Sequence, residues 1–271
     1  MSPALLSTYN WDGLFEIYGA LGLLWLSFWI PFAKDYPTGF GPSSSSTSSS
    51  LASTSKDVIA PIKSDVPWGQ IMKSKEIIAI SMAHCVQNFG LYITLAWLPT
   101  YYKTHFGLST KDSSLNSVAP WVLGALFSFL AGTIADNLIE AGWERTFVRK
   151  LFQTIALIIP ALAMSFLAFY PALDVFQTET CFAVACSGAS FNVAGFGASV
   201  QDVCKSSKLI SIVYSVTSAP AVVCGSLGVY GTGMLLDIYH DWSLVFTIIA
   251  GVYVFGAFFY NSFYTARKII D

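Results

Sequence analysis

The chain has 271 residues, of which 54% are hydrophobic and only 11% are charged, and its net charge at pH 7 is −2. A soluble domain carries about 25% charged residues, so this composition excludes a fold that is exposed to water on all sides and indicates a chain embedded in lipid. The five cysteines fit neither the spacing of a zinc site nor that of a disulfide framework. We therefore expect no metal site and interpret the cysteines as packing residues. The alternative that Cys181 and Cys186 face an oxidising lumen stays open.

Apolar segments long enough to cross a membrane recur along the whole sequence. A membrane-crossing helix needs about 20 mostly apolar residues, and seven segments qualify, so the sequence predicts an all-α integral membrane helical bundle. The predicted spans are Leu14–Ala33, Ile77–Tyr102, Leu115–Ala135, Leu151–Ala172, Thr180–Val200, Leu209–Leu236 and Ser243–Tyr264. Glu16 is the only charged residue inside any of them. Pro220 in the middle of the sixth span predicts a kink or a tilt.

The basic residues predict the orientation of these spans. All of the 14 Lys and Arg residues except Lys103 and Lys111 fall on the side that contains the first loop and the C-terminus. Loops rich in Lys and Arg stay on the cytoplasmic side of a membrane. We therefore predict a multi-pass protein with a non-cytoplasmic N-terminus and a linker and C-terminus on the cytoplasmic side, in a membrane that the sequence does not identify.

A serine-rich segment separates the first predicted span from the other six. Residues 43–50 are all Ser or Thr, and such a composition cannot build a packed core. The sequence therefore predicts three parts: residues 1–39 with one helix, a flexible linker at residues 40–75, and a six-helix unit at residues 76–271. This layout matches a twelve-helix transporter that is cut before its sixth helix.

Polar side chains lie along one face of the second predicted span. His84, Asn88 and Tyr92 are spaced at i, i+4 and i+8 on a helix, and Gln87 lies beside them. Polar groups inside a membrane are costly unless they face the bundle interior or a water-filled cavity. We therefore predict that this face lines a pathway, where His84 could bind an anion or carry a proton. The alternative is that His84 only forms a hydrogen bond between helices.

The connection between the third and fourth spans carries candidate gating residues. Gly132 allows close helix approach, and Asp136 at the membrane edge can accept hydrogen bonds from a helix N-terminus or pair with a loop arginine. Together with Arg145 and Arg149, these residues are candidates for a gate on the cytoplasmic side. A solvated loop that only follows the orientation rule is the alternative.

The fifth predicted span contains one further pathway candidate. Asn192 lies among small residues, which allow helices to pack closely. Its amide could line the pathway or form a hydrogen bond between helices.

Three stretches of the sequence carry a family resemblance. Residues 84–92, which read His-Cys-Val-Gln-Asn-Phe-Gly-Leu-Tyr, and residues 97–101, which read Trp-Leu-Pro-Thr-Tyr, resemble helix seven of the anion/cation symporter branch of the major facilitator superfamily. Residues 132–136 resemble the Gly-x-x-x-Asp signature of that superfamily between helices eight and nine. The branch includes sodium-phosphate, vesicular organic-anion and plant plastid phosphate transporters.

The resemblance implies a function and a partner. It implies secondary active transport of phosphate or an organic anion by alternating access, coupled to Na+ or H+, with no enzymatic activity and no cofactor. It also implies that the chain corresponds to helices six to twelve, so that a missing N-terminal half supplies most of the fixed positive charge. We therefore expect this chain to be an incomplete fragment that does not transport alone.

The sequence departs from the family pattern at individual positions. Ser218 stands where the family has an asparagine, so the pathway candidate at that position is a serine. Gln87 stands where vesicular members have an arginine, which favours the phosphate or plant-type members.

Two other functions fit parts of the sequence. A seven-helix receptor would share the orientation, but the first cytoplasmic loop is long and the end of the seventh span lacks the Asn-Pro-x-x-Tyr pattern. An intramembrane serine protease would use Ser190 with His84, but such a pair needs hydrogen-bond contact, and here the histidine precedes the serine. No feature indicates nucleic-acid binding.

Overall fold

A computed structural model of the chain describes residues 2–33 and 66–268. The predicted linker, up to residue 65, lies outside these residues. The chain divides between Val66 and Pro67 into two units, which are described separately. In the described ranges the regular elements are all helices, which confirms the all-α prediction.

The first unit contains one long helix, α1 (Ser2–Phe32). Its segment Asp12–Phe32 is long and apolar enough to cross a membrane. Large apolar side chains such as Trp25 and Phe28 are exposed along it. Lipid solvates such side chains, which agrees with the predicted first span.

The second unit contains the other six candidate spans, which are Lys75–Phe106, Thr110–Glu140, Arg145–Phe169, Val175–Val203, Leu209–Tyr239 and Trp242–Phe263. Its helices are α2 (Trp68–Lys73), α3 (Lys75–Phe106), α4 (Thr110–Asn116), α5 (Ala119–Glu140), α6 (Arg145–Phe169), α7 (Val175–Ala189), α8 (Phe196–Val203), α9 (Ser207–Tyr239) and α10 (Trp242–Phe263). The predicted number of spans is confirmed, and α9 runs through Pro220 without interruption.

Two of the differences between the predicted and the observed boundaries affect the candidate site. Helix α5 continues to Glu140, so Gly132 and Asp136 are helical, and the connection to α6 is only residues 141–144. The fifth span is not one helix, because α7 ends at Ala189, a 3₁₀ helix covers Ser190–Val193, and α8 begins at Phe196. Hydropathy alone misses this break, because the residues on both sides of it are equally apolar.

Short polar residues mark several helix ends. The Oγ of Ser74 accepts a hydrogen bond from the backbone N–H of Ile77 at the start of α3, and α3 ends at Gly107 in the left-handed conformation with φ of 67°. Asp174 and Gln177 form a reciprocal capping box at the start of α7. These contacts satisfy backbone groups that the helices leave unpaired at their ends.

Contacts between the helices of the second unit show which helix ends lie together. Helix α3 packs against α9 and α10, α6 packs against α7 and α10, and α5 packs against α7. At one end, Thr265 Oγ1 donates a hydrogen bond to Glu76 at 3.0 Å, and the N–H of Ala266 donates to Thr146 Oγ1 at 3.1 Å. The starts of α3 and α6 and the end of α10 therefore meet at this end.

An aromatic cluster fills the opposite end, where α3 and α9 end and α7 and α10 begin. It consists of Tyr101, Tyr102, Phe182, Trp242 and Phe246. The Tyr101 ring centroid lies 5.0 Å from that of Trp242 and 5.2 Å from that of Phe246, in edge-on geometry. Such edge-to-face pairs are favoured because the ring edge is positive and the ring face is negative.

Candidate functional site

His84 lies buried where α3 packs against α9. Its Nδ1 lies 3.4 Å from Thr217 Oγ1, and its ring centroid lies 4.7 Å from that of Phe196 and 5.6 Å from that of Tyr214. The imidazole is therefore held between α8 and α9 by one polar contact and two rings. This arrangement supports the interhelical role for His84, and its contact with a substrate or a proton stays a prediction.

Gln87 lies on a different side of α3, next to the end of α7. Its Nε2 donates a hydrogen bond to the carbonyl oxygen of Ala189 at 3.3 Å. Its Oε1 is buried and has no hydrogen-bond partner. A buried acceptor without a partner costs about 1–3 kcal/mol of stability. Gln87 therefore keeps the capacity to accept one more hydrogen bond.

Asn88 and Tyr92 are half-buried where α3 and α9 are in close contact. A Cβ atom at Gly225 would lie 2.5 Å from Tyr92 Cδ2 and 3.0 Å from the carbonyl oxygen of Asn88. Only glycine allows this approach, because any larger residue would force the two helices apart. On α9, Ser218 has a buried Oγ with no hydrogen-bond partner.

The polar face predicted for α3 therefore serves two different neighbours. His84, Asn88 and Tyr92 contact α9, whereas Gln87 contacts the end of α7. The structure brings Gln87 and Asn192 together as wall residues of one cavity. That all four side chains line one continuous pathway stays a prediction.

Two cavities lie next to each other in the second unit. The first, the Gln87 cavity, has a volume of about 160 Å³ and lies among α3, α5, α6, α7 and α10. The second, the gate cavity, has a volume of about 480 Å³ and is lined by Gly132, Asp136, Arg149 and Tyr214 among others. Asn192 lines both cavities. Asn192 therefore stands between the bundle interior and the gating residues.

The two predicted gating arginines converge on one carboxylate. Arg149 Nε lies 2.7 Å from Asp202 Oδ2, and Arg149 donates a second hydrogen bond to the carbonyl oxygen of Ala194 at 3.2 Å. Arg145 reaches the other carboxylate oxygen of Asp202 at 3.4 Å, but its side chain is 63% exposed. Arg149 and Asp202 are both buried, so this pair is the strong link between α6 and α8.

The predicted pairing of Asp136 with a loop arginine does not occur in the described part of the chain. Asp136 lies exposed near the end of α5 and lines the gate cavity. Asp202 takes both arginines instead, because α8 presents it directly to the start of α6. The sequence prediction did not include Asp202 in the site, although an acid at the end of an apolar run, close in sequence to basic residues, was a usable signal.

A further polar contact, also missed from the sequence, supports the break before α8. Gln153 is fully buried, and its Oε1 accepts a hydrogen bond from the N–H of Phe196 at 2.9 Å. A Cβ atom at Gly195 would lie 2.4 Å from that same oxygen. The side chain of Gln153 therefore replaces a helix carbonyl at the break, and the contact requires glycine at position 195.

A tyrosine completes this polar region. Tyr260 OH and Ser199 Oγ lie 2.6 Å apart, which ties α10 to α8. We use the name polar cluster for Arg149, Gln153, Ser199, Asp202 and Tyr260.

The geometry gives no support to hydrolytic chemistry. Ser190 Oγ donates a hydrogen bond to the carbonyl oxygen of Ser187 at 2.6 Å, and His84 contacts Thr217. The two residues of the protease alternative therefore take other partners. In the described ranges, no group of three or more His, Cys, Asp and Glu side chains could hold a metal ion.

Comparison with protein families gives a match over most of the chain. The profile of the Major Facilitator Superfamily matches residues 1–225. The chain belongs to the major facilitator superfamily.

Members of the superfamily in plants align with the entire chain. The sodium-dependent phosphate transport protein 1, chloroplastic, of Arabidopsis thaliana is 32% identical over 100% of this chain and 51% of its own length. The probable anion transporter 1, chloroplastic, of Oryza sativa subsp. japonica is 30% identical over 100% of this chain and 50% of its length. The ascorbate transporter, chloroplastic, of Arabidopsis thaliana is 29% identical over 100% of this chain and 49% of its length. The chain spans about half the length of the curated relatives it matches.

These matches confirm the resemblance to the anion-transporter branch of the superfamily. The relatives named above are described as transport proteins or transporters. Together with the candidate spans, superfamily membership establishes a multi-pass integral membrane protein. The receptor and protease alternatives find no support in these relatives.

Proposed function

We propose that this chain forms one half of a secondary transporter that moves small anions across a membrane by alternating access. The observation that carries the proposal is the alignment of the whole chain with about half of relatives that are named as phosphate, ascorbate and anion transporters. Their names also favour a plastid membrane as the location.

The mechanism requires two halves that rock about a substrate held between them. A substrate drives this motion only by binding the two conformations with different affinities. Two spans of the second unit favour a partner surface. In an apolar 18-residue stretch of each span, only 17% of the residues are buried for Thr110–Glu140 and 28% for Leu209–Tyr239, against 56% for Arg145–Phe169. The second half of the transporter would cover the exposed faces of α5 and α9.

The charges of the described residues indicate that the positive charge needed to bind an anionic substrate comes from outside this chain. Arg149 is the only buried Lys or Arg among them, and its guanidinium already binds Asp202 and Ala194. A small anion therefore needs cations that the other half of the transporter would supply. Coupling to Na+ or H+ belongs to this proposal, with His84 as the candidate proton carrier.

The cytoplasmic gate is proposed around the gate cavity. The Arg149–Asp202 pair anchors α6 to α8, Arg145 extends that pair toward solvent, and exposed Asp136 lies on the cavity wall. Gly132 has no heavy atom within 4 Å of an added Cβ, so a second half has room to approach there. The N-terminus would be non-cytoplasmic, and the C-terminus cytoplasmic.

Reconstitution into liposomes tests the proposal. The purified 271-residue chain is reconstituted alone, and together with the half of the Arabidopsis phosphate transport protein that it does not match. Uptake of labelled phosphate and labelled ascorbate is measured under Na+ and pH gradients, with the partner half alone as the control. We expect uptake only when both halves are present. Uptake by the chain alone contradicts the half-transporter, and no uptake by the pair contradicts anion transport.

A further inference from the structure

Basic residues from several elements come together at the end of the six-helix unit where α3 and α6 begin and α10 ends. Thr265 donates a hydrogen bond to Glu76 at the start of α3, and the N–H of Ala266 donates one to Thr146 at the start of α6. These two hydrogen bonds hold the segment after α10 against both helix starts. The exposed or half-buried basic residues of these elements and of α2, here named the basic patch, are Lys73, Lys75, Lys150, Arg267 and Lys268.

The cations of the basic patch have no ion-pair partner in the described part of the chain. The ion pairs found there belong to Arg145 and Arg149. Glu76 lies inside the patch, where hydroxyl groups donate hydrogen bonds to both of its carboxylate oxygens. The exposed Glu140 and Glu144 lie close by, at the connection from α5 to α6. Five positive charges therefore face three negative ones, and the patch keeps an excess of positive charge.

Exposed apolar side chains begin directly next to the basic patch. On α3, Ile78 lies one turn after Lys75, and on α6, Leu151 follows Lys150. Phe263 is exposed at the end of α10, shortly before the basic C-terminal segment. In a membrane protein such side chains contact acyl chains, so the neighbouring cations lie at the level of the lipid headgroups.

Exposed aromatic rings mark the same level of the bilayer. The ring centroids of Trp143 and Phe147 lie 5.4 Å apart, and both side chains are exposed. Trp68 is exposed at the start of α2. Tryptophan is enriched at membrane–water interfaces because its ring is amphipathic. Basic residues that lie between transmembrane helices at such an interface bind negatively charged headgroups.

We infer that the basic patch binds the headgroup of an anionic membrane lipid, whose acyl chains lie along Ile78, Leu151 and Phe263. The cations neutralise the headgroup phosphate, and the rings of Trp143 and Phe147 border it. A free phosphate ion would use only the positive charge and would leave the exposed apolar side chains without a role. Binding of a lipid at this site does not depend on the proposed transport of anions.

Native mass spectrometry of the purified full chain tests this site. The chain in detergent is titrated with palmitoyl-oleoyl phosphatidylglycerol, or with phosphatidylcholine that carries the same acyl chains, and the Kd of the first bound lipid is measured. We expect phosphatidylglycerol to bind about tenfold more tightly or better, because its headgroup carries a net negative charge. The difference should shrink when the salt concentration is raised, because salt screens exposed charges.

Two matched double variants locate the site. Lys75→Gln with Lys150→Gln should weaken the binding of phosphatidylglycerol about tenfold or more, because each basic residue near an anionic lipid surface contributes about fivefold. Lys103→Gln with Lys111→Gln removes two exposed lysines that lie outside the basic patch and should keep the affinity of the unaltered chain. The comparison of the two lipids on the unaltered chain does not depend on the folding of either variant.

Three outcomes would overturn the lipid site. Equal affinity for the two lipids overturns the preference for a negative headgroup. Equal losses in the two double variants overturn the basic patch as the location. Displacement of phosphatidylglycerol by an equal concentration of inorganic phosphate means that a free anion occupies the patch, which overturns the lipid as its ligand. The liposome uptake experiment judges transport independently of all three.

Discussion

The two ends of the six-helix unit are held together by different kinds of contact. At the end where α6 starts and α10 finishes, the polar cluster joins α6, α8 and α10 through a buried ion pair and directed hydrogen bonds. At the other end, the aromatic cluster joins α3, α7 and α10 through ring packing. Only α10 takes part in both clusters, and the forces that position the helices differ from one end to the other.

The two kinds of contact differ in how they respond to change in a lipid environment. In lipid, helices are not driven together by the hydrophobic effect, so association depends on close packing and interhelical hydrogen bonds. Directed bonds fix one geometry and leave unpaired groups when they break, whereas ring packing tolerates small shifts. We therefore expect the polar cluster to respond more strongly to single substitutions than the aromatic cluster.

The largest effect is expected for Arg149→Met. Removing one partner of a buried ion pair costs about 3–5 kcal/mol, and here it leaves Asp202 with only the exposed Arg145 at 3.4 Å. The free energy of unfolding, measured by titration of the purified chain with SDS, should fall by this amount. The double variant Arg149→Met with Asp202→Leu should recover most of the loss, since an apolar pair leaves no orphan charge. A double variant as unstable as the single one would contradict the ion-pair explanation.

The aromatic cluster is tested by Phe246→Ala. Phe246 is 5% exposed, and its truncation leaves a cavity that costs about 3 kcal/mol. The same SDS titration measures it. Phe258→Ala is the matched control on α10, because Phe258 is 71% exposed and should change stability by less than about 0.5 kcal/mol. Equal losses in both variants would mean that ring packing does not hold this end.

A smaller effect is expected for Gly195→Ala. The new Cβ would lie 2.4 Å from Gln153 Oε1 and 3.0 Å from the Gln153 Cα. Such overpacking costs about 1–3 kcal/mol, again measured as a lower free energy of unfolding. Gly251→Ala on α10 is the control, because nothing lies within 4 Å of its added Cβ, and alanine there should raise stability by about 0.5–1 kcal/mol. A stabilising Gly195→Ala would refute the close contact with Gln153.

The smallest effect is expected for Arg145→Gln. The Arg145 side chain is 63% exposed, and exposed ion pairs contribute about 0–1 kcal/mol. The loss should disappear when the titration is repeated at high salt, because salt screens exposed charges. A salt-independent loss as large as that of Arg149→Met would mean that the two arginines contribute equally to stability. That result would contradict the prediction that the exposed arginine contributes less than the buried one.

Much of the fold was predictable because lipid imposes a simple rule on the sequence. Uncharged runs of sufficient length revealed all seven candidate spans, and motif residues pointed to the correct branch of the superfamily. The break between α7 and α8 was not predictable from hydropathy. It depends on Gln153, which lies about forty positions earlier in the chain and becomes a neighbour only after folding.

The candidate site was predictable only in part, for a similar reason. The helical spacing of His84, Asn88 and Tyr92 indicated a shared face, and these residues do share contacts with α9. Spacing gives no information on which helix packs against which face, so the separate position of Gln87 beside α7 was not foreseen. The partner of Arg149 could not be chosen between Asp136 and Asp202, because the choice depends on how α8 is placed.

The contact between Gln153 and Gly195 also restricts how this protein can evolve. A bulkier residue at position 195 can be accepted only if position 153 becomes smaller, and the N–H of Phe196 then needs a new acceptor. Substitutions at the two positions should therefore appear together in related chains. This linked variation should be strong enough to detect in an alignment, although about forty residues separate the two positions.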